Sequence, residues 1–282
     1  MTKPRPKTKA SRRGDSDKAA SRQKSTRSSE PVVRVLADPE TVARAAAGEF
    51  VRLARKLHAK GHAFRVALSG GSTPRRTYEI LAQAPFRDMV DWTRVHFFWG
   101  DERCVPPDHP DSNYRMALEA LLSRVPAVPA RIHRIEAERM DADAAAREYQ
   151  REIARVFGAT DDAPTPAFDL ILLGLGPDGH TASLFPGTAA LREVERWVVA
   201  NLVRKLGARR MTFTYPLLNR ASHLVFLSTG AEKSAILAEV LEGPEDRERL
   251  PAQGVRPSPG TLTWIVDIPA AAKLVRTTVT KG

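Results

Sequence analysis

The amino-acid sequence predicts a single α/β domain in which a mostly parallel sheet is covered by helices on both faces. Two observations lead to this prediction. Short β-prone runs alternate with stretches of helical periodicity from residue 32 onward, a pattern typical of parallel sheets. The 252 residues after position 30 are enough for one large domain with a substantial core, and they contain no internal repeat.

The first half of the domain carries the clearest alternation. Val42, Ala46 and Phe50 begin a series of apolar residues at helical spacing, and Gly61 ends that helix. The run FDLILL is continuously apolar after its acidic residue, as expected of a strand that is buried on both faces. In chain order the patterns predict a strand at 32–36, a helix at 39–60, a strand at 63–68, a helix after residue 74, a strand at 95–99, helices at 114–122 and 141–157, and a strand at 168–173.

The second half continues the pattern with shorter elements. Strands are predicted at 197–200, 211–215, 223–228 and 262–266, with a helix at 231–241. The proline-rich stretch 250–259 carries no such periodicity, and we expect it to form a surface loop.

Most of the formal net charge of +11 lies in the first 30 residues, which carry ten Lys or Arg and three Asp or Glu. Residues 31–282 have a net charge of only +4. Because residues 1–30 have almost no apolar side chains, they cannot bury enough surface to offset their chain entropy, and we expect a disordered basic tail. A solubilising role is expected for it, with weak nucleic-acid contact as the alternative. A nucleic-acid partner is not expected for the domain, which has no basic recognition helix.

Cysteine content and hydropathy exclude several protein classes. The single cysteine, Cys104, cannot form an intramolecular disulfide or a multi-thiolate metal site. No run approaches the roughly 18 apolar residues of a membrane span, and the N-terminus has no apolar signal segment. We therefore expect a cytoplasmic protein without a membrane partner.

The segment SGGSTP at 69–74 is the first candidate binding segment. Ligands of parallel α/β sheets bind at the carboxyl ends of the strands, and this segment follows a strand and opens a helix. Its backbone N–H groups are suited to a phosphate. The residues expected to line the site are Gly70, Gly71, Ser72 and Thr73. The alternative is an ordinary turn in which Ser72 or Thr73 caps the helix.

Charged side chains follow or precede three other strands. Asp101 and Arg103 come directly after the strand at 95–99. The planar guanidinium of Arg103 is suited to a phosphate, and Asp101 can orient either Arg103 or a substrate hydroxyl. Arg209 and Arg210 precede the strand at 211–215, and Lys233 follows the strand at 223–228; these cations are further candidates for a phosphate. Taken singly, each is also explained by surface solvation or ion pairing.

The segment GLGPDGHT at 174–181 is the most informative. It contains the GxGxxG pattern of dinucleotide-binding loops, but Pro186 cuts short the helix that such a loop requires, and the segment comes late in the chain. What remains is His180 on a glycine-rich turn at the end of a strand, with Asp178 two residues earlier. Because histidine titrates near neutrality, His180 is suited to take a proton from water.

Taken together and in this order, these segments resemble the 6-phosphogluconolactonases. The resemblance spans about residues 32–270 and implies a modified Rossmann-type fold, with the catalytic domain at 31–282. The segments that carry it are SGGSTP at 69–74, WGDER at 99–103, SNY at 112–114, DLILLGLGPDGHTASLFP at 169–186, RMT at 210–212, Lys233 and LTW at 262–264.

The resemblance implies hydrolysis of 6-phospho-D-glucono-1,5-lactone to 6-phospho-D-gluconate, a step of the oxidative pentose phosphate pathway, without a metal or organic cofactor. By position, His180 is similar to the general base, and Asp178 orients it or shapes the turn. Arg103, Arg210 and Lys233 are similar to the phosphate-binding cations. The implied partner is a small phosphosugar lactone, and we expect a monomer or a weak homo-oligomer.

Two other functions remain open. The glucosamine-6-phosphate deaminases have a similar Asp-Gly-His turn but place a carboxylate five residues after the histidine, where this chain has Phe185. Moving protons around an open-chain sugar requires such carboxylates, so this difference favours lactone hydrolysis. A non-catalytic sugar-phosphate sensor is the second alternative, and an intact His180 turn argues against it.

Overall fold

The computed structural model describes residues 1–3, 31–159, 164–276 and 279–281. The predicted basic tail falls largely on residues 4–30, which lie outside the described residues. From Pro31 onward the described chain forms two sheets and the helices packed on them.

The larger sheet is parallel throughout, as the alternation of strands and helices predicts. Its seven strands are β1 (Val32–Leu36), β2 (Phe64–Leu68), β3 (Val95–Trp99), β5 (Leu170–Gly174), β8 (His223–Ser228), β9 (Thr261–Asp267) and β10 (Val279–Lys281). They lie in the order β10-β1-β9-β8-β5-β2-β3. Strand β10 was not predicted from the sequence.

Both faces of this sheet are covered. Successive residues of a strand point to opposite faces, and Phe97, Phe98 and Trp99 are all fully buried. The same holds for β5, where each residue from Leu170 to Leu173 is at most 1% exposed. The predicted fold class is therefore confirmed.

A second, smaller sheet is antiparallel and has the strand order β4-β7-β6. Its strands are β4 (Asp101–Arg103), β6 (Val198–Val203) and β7 (Ala208–Phe213). The strands predicted at 197–200 and 211–215 do exist, but they form a hairpin outside the parallel sheet because Gly207 reverses the chain in a left-handed conformation (φ 58°). Gly100 carries the chain between the sheets, since its N–H donates to Leu68 and its carbonyl accepts from Phe213.

Seven α-helices within the described residues pack around these sheets. Asp38 begins the first of them, since its side chain accepts from the N–H of Thr41 in a capping box. The third runs directly into a π-helical turn at Leu118–Leu122. No helix in the described ranges has the length and apolar character that crossing a bilayer requires. The helices are α1 (Pro39–His58), α2 (Ser72–Leu81), α3 (Asn113–Ala117), α4 (Ala142–Phe157), α5 (Tyr215–Leu218), α6 (Ser234–Glu242) and α7 (Ile268–Ala271).

The stretch 250–259 is not the surface loop that its composition predicts. It contains a short 3-10 turn, Pro251–Gly254, and the flanking residues Leu250 and Val255 are each 1% exposed. The side-chain amide of Gln253 donates to backbone carbonyls at the end of α6 and just beyond it. The burial of these apolar side chains is favourable and places the segment in the protein interior. The high proline content indicates only that the segment is not a regular helix or strand.

Candidate active site

A cavity of about 330 Å³ opens at the carboxyl ends of β2, β5 and β8, which are neighbours in the parallel sheet. This is where ligands of such sheets bind. Strand β4 and the start of α3 close one side. The lining residues are Ser69, Gly70, Gly71, Ser72, Thr73, Pro74, Asp101, Arg103, Asn113, Gly174, Leu175, Gly176, His180, Ala182, Leu227, Ser228, Thr229, Glu232 and Lys233.

Most of the residues singled out from the sequence meet at this cavity. The predicted residues that do not line it are Asp178, which contacts His180 from behind, and Arg210, which lies beside Arg103. The predicted residues that line it are Gly70, Gly71, Ser72, Thr73, Asp101, Arg103, His180 and Lys233.

His180 and Asp178 form a hydrogen-bonded pair. The Nδ1 atom of His180 lies 2.5 Å from Oδ1 of Asp178, which also accepts from the backbone N–H of His180 at 3.2 Å. Because a carboxylate only accepts, Nδ1 carries the proton in the neutral ring and Nε2 keeps its lone pair. Among the described residues no hydrogen bond occupies Nε2, so it is available as a proton acceptor.

The surroundings keep His180 neutral. Burial lowers the pKa of its imidazole to about 4, with Asp101 opposing this shift and Lys233, Arg103 and Arg210 adding to it. The ring of Phe185 stacks on the imidazole with 4.0 Å between centroids. A ring that is unprotonated at neutral pH is in the form that a general base requires.

Glycines make room for this arrangement. A Cβ atom on Gly176 would lie only 2.0 Å from Nδ1 of His180, so the imidazole packs directly against the backbone there. Gly179 adopts a positive φ of 79°, and Leu250 occupies the space in front of its Cα. The N–H of Ala252 donates to the carbonyl of Gly179. The buried residues 250–255 therefore support the turn that carries His180.

Asp101 and Glu102 are adjacent carboxylates with different roles. Asp101 lines the cavity, and its Oδ2 accepts from the hydroxyl of Ser183 at 2.7 Å. Glu102 points to the start of α3, where it accepts from the N–H groups of Asn113 and Tyr114, each at 2.8 Å. Glu102 therefore caps a helix, and of the two adjacent carboxylates only Asp101 faces the cavity.

Three cationic side chains, those of Arg103, Arg210 and Lys233, lie near Asp101 and His180. The Nη1 atom of Arg103 donates to the carbonyl of Asp111 at 2.5 Å, and Nζ of Lys233 donates to the carbonyl of Leu175 at 3.0 Å. Arg210 pairs across from Arg103 in the β4–β7 ladder, so both side chains lie on the same face of the small sheet. Arg209, one residue away on β7, points to the opposite face of this sheet, so Arg210 is the arginine that accompanies Arg103.

The segment 69–74 forms the start of α2. Its N-cap is Gly71, at a positive φ of 109°, and no side chain caps the helix, so the interpretation of Ser72 or Thr73 as the cap is wrong. The hydroxyl of Thr73 lies 2.9 Å from that of Thr229, which joins the loop after β2 to the loop after β8. Among the described residues the N–H groups of Ser72 and Thr73, at the start of this ten-residue helix, have no hydrogen-bond acceptor and are available to an anion.

Several residues at or beside the site were not among the predicted site residues, and four of them are polar side chains with specific contacts or a place in the lining. Asn113 donates to the backbone of Asp101, and its Oδ1 touches Gly70. Ser183 holds Asp101, Glu232 lines the cavity, and Lys205 pairs with Asp178. The first two lie in segments quoted for the resemblance, whereas nothing in the local sequence marks Glu232 or Lys205. In the described chain no group of three or more His, Cys, Asp or Glu side chains is arranged to hold a metal ion.

Comparison with known proteins identifies the family. A sequence profile described as glucosamine-6-phosphate isomerases/6-phosphogluconolactonase matches residues 37–264. A 6-phosphogluconolactonase of Synechocystis sp. is 42% identical over 245 residues, covering 86% of this chain and 98% of the relative. One from Nostoc sp. is 41% identical over 211 residues, covering 75% and 85%. The structure of a 6-phosphogluconolactonase from Trypanosoma cruzi superposes with a TM-score of 0.77 at 30% identity, covering 87% of this chain and 97% of that one. The chain therefore belongs to the glucosamine-6-phosphate isomerase/6-phosphogluconolactonase family.

Proposed function

We propose that this protein hydrolyses 6-phospho-D-glucono-1,5-lactone to 6-phospho-D-gluconate. The observation that carries the proposal is His180, a neutral imidazole with a free Nε2 in a cavity that is also lined by Arg103 and Lys233. The names of the relatives agree with this substrate. A base beside fixed positive charge suits a substrate that carries both a phosphate and an activated ester.

In the proposed reaction, water attacks the lactone carbonyl carbon while Nε2 of His180 takes its proton. The negative charge of Asp178 stabilises the imidazolium that forms, and cationic side chains stabilise the tetrahedral oxyanion. When the intermediate collapses, the ring oxygen leaves and takes the proton from the imidazolium to become the C5 hydroxyl. The product acid then ionises and releases one proton. Because the lactone is an activated ester, one base and electrostatic stabilisation of the oxyanion suffice, and no nucleophilic side chain is required.

The phosphate is assigned to the cationic side of the cavity. Arg103, Arg210 and Lys233 supply the charge, and the free N–H groups at the start of α2 supply directional donors. Asp101 is assigned to a substrate hydroxyl, because its Oδ1 has only a weak donor, the amide of Asn113 at 3.4 Å. The loop residues Gly70 to Thr73 bring the backbone close enough to line the substrate.

The environment of Phe185 argues against deaminase chemistry. Its ring is 6% exposed and stacks on the imidazole of His180. A proton-carrying carboxylate at this position would replace an apolar contact that supports the neutral base. Lactone hydrolysis requires only one base and is compatible with this contact.

The test measures lactone hydrolysis by the wild type, by His180→Ala and by His62→Ala. The lactone is generated in situ by glucose-6-phosphate dehydrogenase, and the spontaneous rate is subtracted. His62 is exposed, and its side chain forms no hydrogen bond in the described structure, so it serves as the matched control. We expect His180→Ala to lose about 100-fold or more in kcat while its affinity for 6-phosphogluconate changes by only a few fold.

Near wild-type turnover by His180→Ala would refute the base assignment. Absence of acceleration by folded wild type would refute the substrate, and glucosamine 6-phosphate would be assayed next. Binding of phosphosugars without turnover of either substrate would support the sensor.

We further propose a cytoplasmic protein that is a monomer or a weak homo-oligomer, with residues 1–30 as a solubilising tail. The single cysteine is compatible with a reducing compartment. Sedimentation of the full chain tests the oligomeric state.

A further inference from the structure

The hairpin between β6 and β7 brings Lys205 to the back of the His180–Asp178 pair. The ammonium of Lys205 forms an ion pair with Oδ2 of Asp178, while Oδ1 of the same carboxylate receives Nδ1–H of His180. Oδ2 is buried and receives no hydrogen bond from any other described residue. The two oxygens of Asp178 are thus divided between one imidazole and one ammonium.

A second contact links Lys205 to the same imidazole. Its Nζ lies 4.9 Å from the centroid of the Phe185 ring, within the range of a cation–π interaction. Phe185 in turn stacks on His180. Lys205 therefore touches both side chains that determine where the imidazole lies, although its own side chain is 50% exposed and does not line the cavity.

The contacts of its two oxygens with His180 and Lys205 restrict the rotation of the Asp178 carboxylate. A carboxylate bonded through one oxygen can rotate about its Cβ–Cγ bond, whereas a partner on the other oxygen opposes that rotation. Asp178 also has to stay ionised, because a protonated acid no longer selects the Nδ1–H tautomer of His180. A cation on Oδ2 favours the ionised form.

We propose that Lys205 is a positioning residue, which fixes Asp178 and Phe185 so that Nε2 of His180 faces the reacting water. The kinetic consequence rests on the proposed lactonase function; the effect on the imidazole does not. Other charges face His180 as well, namely Asp101 and Arg103 on β4, Arg210 on β7 and Lys233 before α6. None of these pairs with Asp178 among the described residues.

The test compares Lys205→Met, Lys205→Arg and Arg204→Met. Methionine keeps the apolar stem and removes the charge, arginine restores the charge, and Arg204 is the exposed neighbour that makes no ion pair in the described chain. We expect Lys205→Met to lose about tenfold in kcat with little change in KM. Lys205→Arg should recover most of this loss, and Arg204→Met should behave as the wild type.

A readout that needs no substrate separates this proposal from the proposed function. In protein labelled with ¹⁵N-histidine, NMR reports the tautomer and the titration of His180. Lys205→Met is expected to show a mixture of tautomers and a raised pKa, because a nearby cation is lost. A wild-type tautomer and pKa in Lys205→Met would overturn the proposal, as would an equal effect of Arg204→Met. Inactivity of the wild type towards the lactone would leave the NMR test intact and would count only against the proposed function.

Discussion

At the scale of single residues, the pKa of His180 determines the pH range over which the site can accept a proton. The folded-state value is lowered to about 4, so the imidazole is protonated and inactive only below that pH. We expect log(kcat/KM) to be level from about pH 5 to about pH 8 and to fall below that range with a midpoint near 4. The measurement is the initial rate at low lactone concentration, corrected at each pH for spontaneous hydrolysis.

The midpoint of this pH profile distinguishes a buried imidazole of His180 from a solvated one. A value near the ordinary 6.5 would mean that the imidazole is solvated in the working enzyme. The same titration in Lys233→Met should raise the midpoint, since that lysine lowers the pKa of His180.

Gly176 packs directly against the imidazole of His180, so no space for a side chain remains between the ring and the backbone. A methyl group there would overlap Nδ1, so Gly176→Ala has to displace the ring or the turn. Because a misplacement of about 1 Å costs roughly 100-fold in rate, we expect a loss of that order in kcat. Gly48→Ala in α1, where no atom lies within 4 Å of the added carbon, is the control. Full activity of Gly176→Ala would contradict the packing described for the imidazole.

At the scale of secondary-structure elements, Glu102 connects β4 to α3. Its carboxylate accepts the N–H groups of Arg103, Asn113 and Tyr114 and lies 3.2 Å from the hydroxyl of Ser112. In Glu102→Gln an amide NH₂ replaces one accepting oxygen and faces these donors. We expect the free energy of unfolding to fall by about 1–3 kcal/mol.

Urea denaturation measures this loss. Glu119→Gln is the control, because Glu119 forms an exposed ion pair with Arg115 in the same region and should contribute below about 1 kcal/mol. Equal effects of the two substitutions would mean that Glu102 does not cap α3.

The elements also show which features the sequence can predict. The strands of the parallel sheet are rich in apolar residues, and in β5 the run from Leu170 to Leu173 is continuously apolar, so burial on both faces follows from the pattern there. The pairing of β6 with β7 depends on the left-handed turn at Gly207 and on contacts with β4, which no local periodicity encodes. For this reason the two strands were predicted but their separate sheet was not, and Lys205, which lies in the turn of the hairpin, was missed.

At the scale of the whole molecule, most of the excess positive charge and the residues that line the cavity lie in different parts of the chain. The first 30 residues carry a net charge of +7, whereas every residue that lines the cavity lies between Ser69 and Lys233. We therefore expect a protein truncated to residues 31–282 to keep kcat/KM within about twofold of the full chain. Assays at low and physiological salt check this, and a salt-dependent loss would assign the tail a role in substrate capture.

The site as a whole was largely predictable because its residues follow strand ends. Parallel strands bring their carboxyl ends to one edge, so segments far apart in sequence, such as those holding Ser72 and His180, meet there. Residues that act through packing, such as Ser183 beneath Asp101, carry no such positional signal, since a buried serine differs from an exposed one only in the folded chain.

The largely buried stretch 250–259 has a practical consequence for anyone who engineers this protein. By composition it resembles a permissive place to insert an epitope or a fluorescent reporter. An insertion there would push Leu250 and Ala252 away from Gly179 and carry the disturbance to His180. The exposed turn 59–62, at the amino end of β2 and so at the far end of the strand from the cavity, is the better insertion site.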